Sequence, residues 1–433
     1  MKKNFLLFLS LLFACGLFMS MQLKAQDRTV IAGIPVNYDE SQAGDYRATL
    51  PDPLVMLNGK EVTTARQWYD KRRPEILRLF EEHQYGKWPA KKPKLRYTVE
   101  EDLGFEGTAI RKQVTVFFSP NDDGPKVDVL IYIPRNASGP VPLLLNLSFS
   151  ANNITVNDPG IKPGTAWDAR SKTRSVATAG ARPGSRMNDY IKAFLAEGFG
   201  FATLNYTDID PDFLGGVPFG VRGLYLKPGR KEPAPDEWGS ISAWAWGVSN
   251  VMDYFEKDPS INAKRIAITG ASRLGKTVMW TGAREPRVAM VLASCSGEGG
   301  AAISRRNYGE TVAHLTEGSR YPYQFAANYG KYGADVTKLP VDANLLVALI
   351  APRPLLLQTG TTDNWSDPGG EFFAAAEAGK VYRLLGKDDL GITELPAPDQ
   401  PVFHTLGYFM HEGGHGTIPL DWEVYLEFMK RYL

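Results

Sequence analysis

Eight short runs rich in apolar residues recur along the chain, at 113–118, 127–133, 143–147, 201–205, 265–269, 289–294, 355–359 and 405–410. Several are apolar at consecutive rather than alternate positions, the pattern of strands buried on both faces of a parallel sheet. Between them, apolar residues return at helical spacing over 187–197, 241–257, 276–284 and 422–432. Strand and helix in alternation predict an α/β fold: a doubly wound, mostly parallel sheet between two helical layers, a three-layer sandwich. Residues 26–95 are mixed in character, with one helical pattern over 65–85 that carries Trp68, Ile76, Leu77, Leu79 and Phe80. They are expected to wrap the main unit, 96–433. Two stretches, 152–186 and 208–237, are too long and too rich in Gly, Pro and Asp to be plain connectors, and are expected to border a site.

The run 265–269 leads directly into Gly270-Ala271-Ser272-Arg273-Leu274-Gly275 and then a helical pattern. A serine on a sharp strand-to-helix turn is exposed and flanked by free backbone N–H groups, as in the nucleophile elbow of the α/β-hydrolase fold. The spacing differs by one residue from the usual G-x-S-x-G. A plain glycine-rich connection is the alternative.

A serine hydroxyl is a weak nucleophile, so it needs a base in reach and a carboxylate to fix that base's tautomer. In α/β-hydrolase order the acid and then the histidine follow the serine, each at the end of a later strand. Of five histidines, His411 and His415 lie just beyond the last predicted strand, in Met410-His411-Glu412-Gly413-Gly414-His415-Gly416. His415, set between glycines that can turn its ring back toward Ser272, is the expected base; His411 is the reserve. The two are split by Gly413-Gly414 and off any helix, so zinc geometry is not expected. For the acid, Asp363 at the end of the 355–359 run competes with Glu298 in Ser294-Cys295-Ser296-Gly297-Glu298-Gly299-Gly300. Asp367, before Pro368, is expected to stabilise a turn. The N–H of Arg273, one residue past the serine, suits an oxyanion donor, and its guanidinium could add to it; a helix-starting surface arginine is the alternative reading.

Three motifs together carry a family likeness: Gly270-Ala271-Ser272-Arg273-Leu274-Gly275-Lys276, Ser296-Gly297-Glu298-Gly299-Gly300, and His415 ahead of Asp421-Trp422. Over most of residues 60–433 the chain resembles the glucuronoyl esterases of carbohydrate esterase family 15. The resemblance implies cleavage of esters between 4-O-methyl-glucuronic acid on xylan and lignin alcohols, without metal or cofactor. It implies Ser272 as nucleophile, His415 as base and Arg273 as oxyanion donor, with Lys276, Glu310 and Trp365 on the sugar and Glu298 beside them. In fungal members the acid follows the next strand, a position held here by Cys295. A thiol cannot hold an imidazolium by charge, and some bacterial members place the acid where Asp363 stands. Asp363 is therefore assigned. The family's usual cysteine before the serine is Ala271 here, so reaction type is more firmly implied than substrate.

Met1-Lys2-Lys3, an apolar run from Phe5 to about Met21 and then Gln22-Leu23-Lys24-Ala25 have the order of a secretory signal, so residues 1–25 are expected to be removed on export to the periplasm or beyond. Cys295 would then be the one remaining cysteine, leaving no internal disulfide. No later stretch is apolar enough for a membrane span. With 49 basic against 48 acidic residues, nothing favours a nucleic-acid partner. The expected entity is an exported monomer acting on a lignin–carbohydrate ester. A different carbohydrate esterase, such as an acetyl-xylan esterase, and a non-catalytic glycan binder on the same fold are the rivals.

Overall fold

The structure, a computed structural model, describes residues 30–178 and 187–433. The expected export segment and the end of the 152–186 stretch lie outside the described residues. Among the described residues one sheet of nine strands dominates: β1 (Arg96–Gly104), β2 (Ala109–Phe117), β3 (Lys126–Pro134), β4 (Val141–Ser148), β5 (Gly200–Asn205), β6 (Ile261–Ala271), β7 (Met290–Ser294), β8 (Leu355–Gly360) and β9 (Leu406–His411). Their order across the sheet is β9-β8-β7-β6-β4-β5-β3-β2-β1. The pairs β1–β2, β2–β3 and β3–β5 are antiparallel, and every pair from β5 to β9 is parallel. This is the α/β-hydrolase fold, and all eight expected strands are present.

Seven helices of eight or more residues are described: α1 (Arg73–His83), α2 (Met187–Ala196), α3 (Ser240–Phe255), α4 (Arg273–Arg284), α5 (Ala343–Ile350), α6 (Pro368–Leu384) and α7 (Pro419–Tyr432). Successive residues of β6 point to opposite cores. Ile266 and Ile268 pack with α1, α3, α4, α5 and α6, whereas Ala267 packs with α2 and α7. Three layers follow from that alternation. The helical pattern over 65–85 is interrupted by one π turn at Trp68–Arg72, just before Pro74, whose missing N–H breaks the ordinary ladder. From this N-terminal stretch Tyr85 stacks on Trp280 of α4, with ring centroids 4.5 Å apart, and donates to the Gly299 carbonyl at 2.7 Å.

Register decides where chemistry can gather. Ala271 pairs with Ser294, Ser294 with Gln358, and Gly360 with His411, so the C-terminal ends of β6, β7, β8 and β9 share one edge of the sheet. Ligand sites of parallel α/β sheets form at that edge. Among the described residues no helix is long and apolar enough to cross a membrane.

Candidate active site

Ser272 sits between the last residue of β6 and the first of α4 with φ 57° and ψ −125°, a positive-φ conformation that a non-glycine residue occupies at a cost of roughly 1–3 kcal/mol. Two hydrogen bonds hold it there: its N–H donates to the Ser294 carbonyl at 2.9 Å, and its carbonyl accepts from the Lys276 N–H at 3.0 Å. The flanking glycines are required by close approach. A Cβ on Gly270 would lie 2.7 Å from the Leu274 carbonyl oxygen, and one on Gly275 would lie 2.6 Å from that of Ser294. The one-residue departure from the usual spacing thus puts the second glycine where α4 crosses the end of β7. Ser272 Oγ has no hydrogen-bond partner among the described residues.

His415 lies on the loop between β9 and α7, flanked by Gly413 at φ 140° and Gly416 at φ 109°. Its Nδ1 is 2.7 Å from Asp363 Oδ2 and 3.2 Å from Ser366 Oγ. The imidazole side chain is 44% exposed and the carboxylate 3%, so one end of the pair is held in the protein and the other meets solvent. His415 Nε2 has no partner among the described residues. The loop is docked on β7. Gly416 N–H donates to Cys295 Sγ at 3.4 Å, and Thr417 Oγ1 donates to Ser294 Oγ at 3.3 Å. Ser294 is the residue whose carbonyl fixes Ser272, so hydroxyl and imidazole are referred to the same strand end.

Arg273 turns its guanidinium onto Asp212 and lies 4.8 Å above the Tyr321 ring. Burial opposes its charge, but Asp212 outweighs that and raises its pKa above the ordinary arginine value. Asp212 also accepts from Tyr206 Oη at 2.6 Å, Gln324 Nε2 at 2.8 Å and Tyr323 Oη at 3.0 Å. Neither Asp212 nor these partners can be picked out from sequence spacing. The one signal was the length of the 208–237 stretch.

One turn along α4, Lys276 is buried at 5% exposure. Desolvation pulls its pKa down, and Glu310 works against that. Glu310, also buried, has its carboxyl raised by desolvation; Lys276 and Arg320 oppose the rise, and Arg320 Nη2 donates to it at 2.7 Å. Its N–H donates to the Trp365 carbonyl at 2.9 Å, which joins the 304–311 loop to the Asp363 loop. The Trp365 ring meets His314 edge-on at 5.2 Å.

A family model for glucuronyl esterases of fungi matches residues 233–386. The solved structure of a glucuronoyl esterase from Solibacter usitatus overlays with a TM-score of 0.85 at 42% identity, covering 90% of this chain and 99% of that one. A structure described as a promiscuous family 15 esterase from a marine bacterial metagenome overlays at 0.83 and 41% identity, covering 92% and 100%. Over 403 residues the chain is 42% identical to carbohydrate esterase MZ0003 of an unknown prokaryotic organism, spanning 92% of both. The chain belongs to carbohydrate esterase family 15.

The esterase is thus a carboxylic ester hydrolase. Of the remaining acids at the strand ends, Glu298 does not meet His415. It is buried and accepts from Ser304 Oγ at 2.6 Å, Tyr329 Oη at 3.0 Å and the Gly299 N–H at 3.0 Å, and burial pushes its pKa up to about 8. A carboxyl that stays protonated at neutral pH does not steady an imidazolium by charge. Cys295, beside Asp363 and His415 with all three donor atoms within 4.8 Å of one another, has its thiol raised by burial and then by the Asp363 charge. It is therefore neutral. The reserve base His411 is fully buried, with Nδ1 3.0 Å from both oxygens of Asp421 and Nε2 3.0 Å from the Gly414 carbonyl. Asp367 caps α6 through the Gly370 N–H at 2.9 Å and pairs with Arg306.

Proposed function

We propose that the esterase hydrolyses esters of (4-O-methyl-)glucuronic acid, as in lignin–glucuronoxylan linkages, through an acyl-enzyme on Ser272. His415 takes the hydroxyl proton as Oγ attacks the ester carbonyl, and Asp363 holds the imidazole tautomer and steadies the imidazolium that forms. The Arg273 N–H and guanidinium face the developing oxyanion; the Asp212 contact pins the guanidinium so that little reorganisation accompanies the step. His415 then gives its proton to the departing alcohol, deprotonates a water that attacks the acyl carbon, and returns a proton to Ser272. Lys276, Glu310 and Trp365 grip the sugar, with Glu298 behind them. The N-terminal segment directs the chain out of the cytoplasm.

The observation that carries this reading is the 2.7 Å contact of a half-exposed His415 with a buried Asp363, on a loop anchored to the strand end that also fixes Ser272. Curated relatives named 4-O-methyl-glucuronoyl methylesterases, one from Wolfiporia cocos 28% identical over 349 residues, support the substrate. Ser272→Ala should abolish turnover of methyl glucuronate esters with the fold intact; retained turnover would end the proposal. Comparing Asp363→Ala with Glu298→Ala tests the acid, because loss confined to the Glu298 change would reassign it. The 41% identity to an esterase described as promiscuous favours a second reading, a broader carbohydrate esterase. Activity on acetylated xylan equal to that on methyl glucuronate would select it. Rapid labelling of Ser272 by an organophosphonate separates either from a non-catalytic glycan binder.

A further inference from the structure

The segment 34–46 lies far in sequence from every residue of the proposed machinery, yet it is stitched to the two loops that carry Glu310, Asp363 and Trp365. The Gly309 N–H, next to Glu310, donates to the Asn37 carbonyl at 2.8 Å, and Asn37 Nδ2 donates to the Asn307 carbonyl at 2.6 Å. The Asn307 N–H donates in turn to the Ala43 carbonyl at 2.9 Å. Arg306 grips both oxygens of Glu40, at 2.8 and 2.6 Å, while its Nε holds Asp367 at 2.8 Å just past Trp365. A bidentate guanidinium shared between two carboxylates fixes geometry as well as charge. The arm is therefore built into this side of the site.

Within that arm Tyr38 meets the Tyr308 ring edge-on at 6.2 Å, and Tyr308 Oη donates to Asn364 Oδ1 at 3.2 Å, between Asp363 and Trp365. Tyr38 is half-buried, and its own hydroxyl has no partner among the described residues. Burial raises its pKa, and Tyr308, Asp363 and Glu310 add to the rise. A half-buried phenol with a free donor among the described residues, packed on the tyrosine that bonds the Asp363–Trp365 loop and next to the residue that holds Gly309, has the chemistry of a carbohydrate contact: one hydrogen-bonding group on a flat apolar ring.

We infer that Tyr38 is a further substrate-binding residue, its hydroxyl bonding a hydroxyl of the uronate ring and its ring walling that ring in. The inference rests on the uronate reading of Lys276, Glu310 and Trp365. Tyr38→Phe keeps the ring and removes the donor, so KM for a methyl glucuronate ester should rise about three- to ten-fold with kcat held, the size of one lost neutral hydrogen bond. Hydrolysis of phenyl acetate, which carries no sugar, and the thermal midpoint should not move. An unchanged KM for the uronate in Tyr38→Phe, or an equal loss on both esters, overturns the inference. Unchanged KM in both Tyr38→Phe and Lys276→Ala would overturn the uronate site beneath it.

Discussion

Two histidines four residues apart, His411 at the end of β9 and His415 on the loop that follows, each meet an aspartate, and the two pairs are built differently. His411 and Asp421 are fully buried, and the ring is engaged at both nitrogens, with the Gln358 amide also 2.9 Å from Nδ1. Burial pulls the His411 pKa down, but Asp421 outweighs it and raises it above the ordinary value. His415 and Asp363 are closer, at 2.7 Å, but only the carboxylate is buried and Nε2 is open. A histidine–carboxylate contact is thus no signature of catalysis. What separates the two is the second nitrogen, which in one pair meets the Gly414 carbonyl and in the other has no partner among the described residues.

Breaking each pair should therefore damage different properties. Asp363→Asn should lower kcat/KM on a methyl glucuronate ester by about 10³- to 10⁴-fold through the wrong tautomer, with the melting temperature unmoved. A fall of less than ten-fold would take Asp363 out of the mechanism. His411→Ala leaves Asp421 buried without its partner and should cost about 3–5 kcal/mol of stability, read from denaturant titration, while the folded fraction keeps its turnover. Turnover lost in step with Asp363→Asn would show that the buried pair does chemistry.

The contrast also explains what could be read before any coordinates. Strands β2 to β9 announced themselves because most of their residues are buried, which leaves short runs rich in apolar residues whether the pairing is parallel or antiparallel. The strand β1 was missed because it is an edge, with most of its residues exposed and no apolar run to find. Helix α5 was missed for the reverse reason: all eight of its positions are buried, so it has no polar face to give a period. Ser272, Asp363 and His415 could be nominated because each follows a strand end, where chain order and place in the sheet coincide. Asp212 could not. Its bonds to Tyr323 and Gln324 span 111 and 112 residues between irregular loops, and the arm bearing Tyr38 meets Arg306 across 266. No periodicity encodes a loop-to-loop contact.

A carboxyl with no imidazole at all sharpens the comparison. Glu371, fully buried, accepts from the Gly297 N–H at 2.6 Å and Ser296 Oγ at 3.1 Å through one oxygen, while the other has no partner among the described residues, and burial pushes its pKa from 4.5 up to about 8. Glu298 is raised to the same value. In the unfolded chain both ionise near 4.5, whereas the fold keeps their protons until about 8, so the folded state binds more protons across that window. Stability must fall as pH rises through it and level off above. Glu371→Gln retains the acceptor for Gly297 and Ser296 and removes the charge. The drop in melting temperature between about pH 5 and about pH 8 should narrow in this variant, and an unchanged drop would mean that Glu371 is ionised in the fold.

The smallest expected effect tests how the open pair is held. His411 is fixed by charge and by hydrogen bonds at both nitrogens, but the His415 loop touches β7 through the hydroxyls of Thr417 and Ser294 and through soft sulfur contacts, with Cys295 Sγ 3.4 Å from Gly416 N and 3.7 Å from its carbonyl oxygen. Cys295→Ala removes the sulfur contacts and nothing charged. If they only steady the loop, the barrier should rise by about 0.5–1 kcal/mol, which is about a two- to five-fold loss in kcat. The pH–rate profile should keep its shape, because a neutral thiol brings no charge beside the imidazole. A loss as deep as that of Asp363→Asn, or a displaced pH profile, would mean that the thiol carries charge beside the imidazole, and the open pair would have to be redrawn as a triad of Cys295, Asp363 and His415.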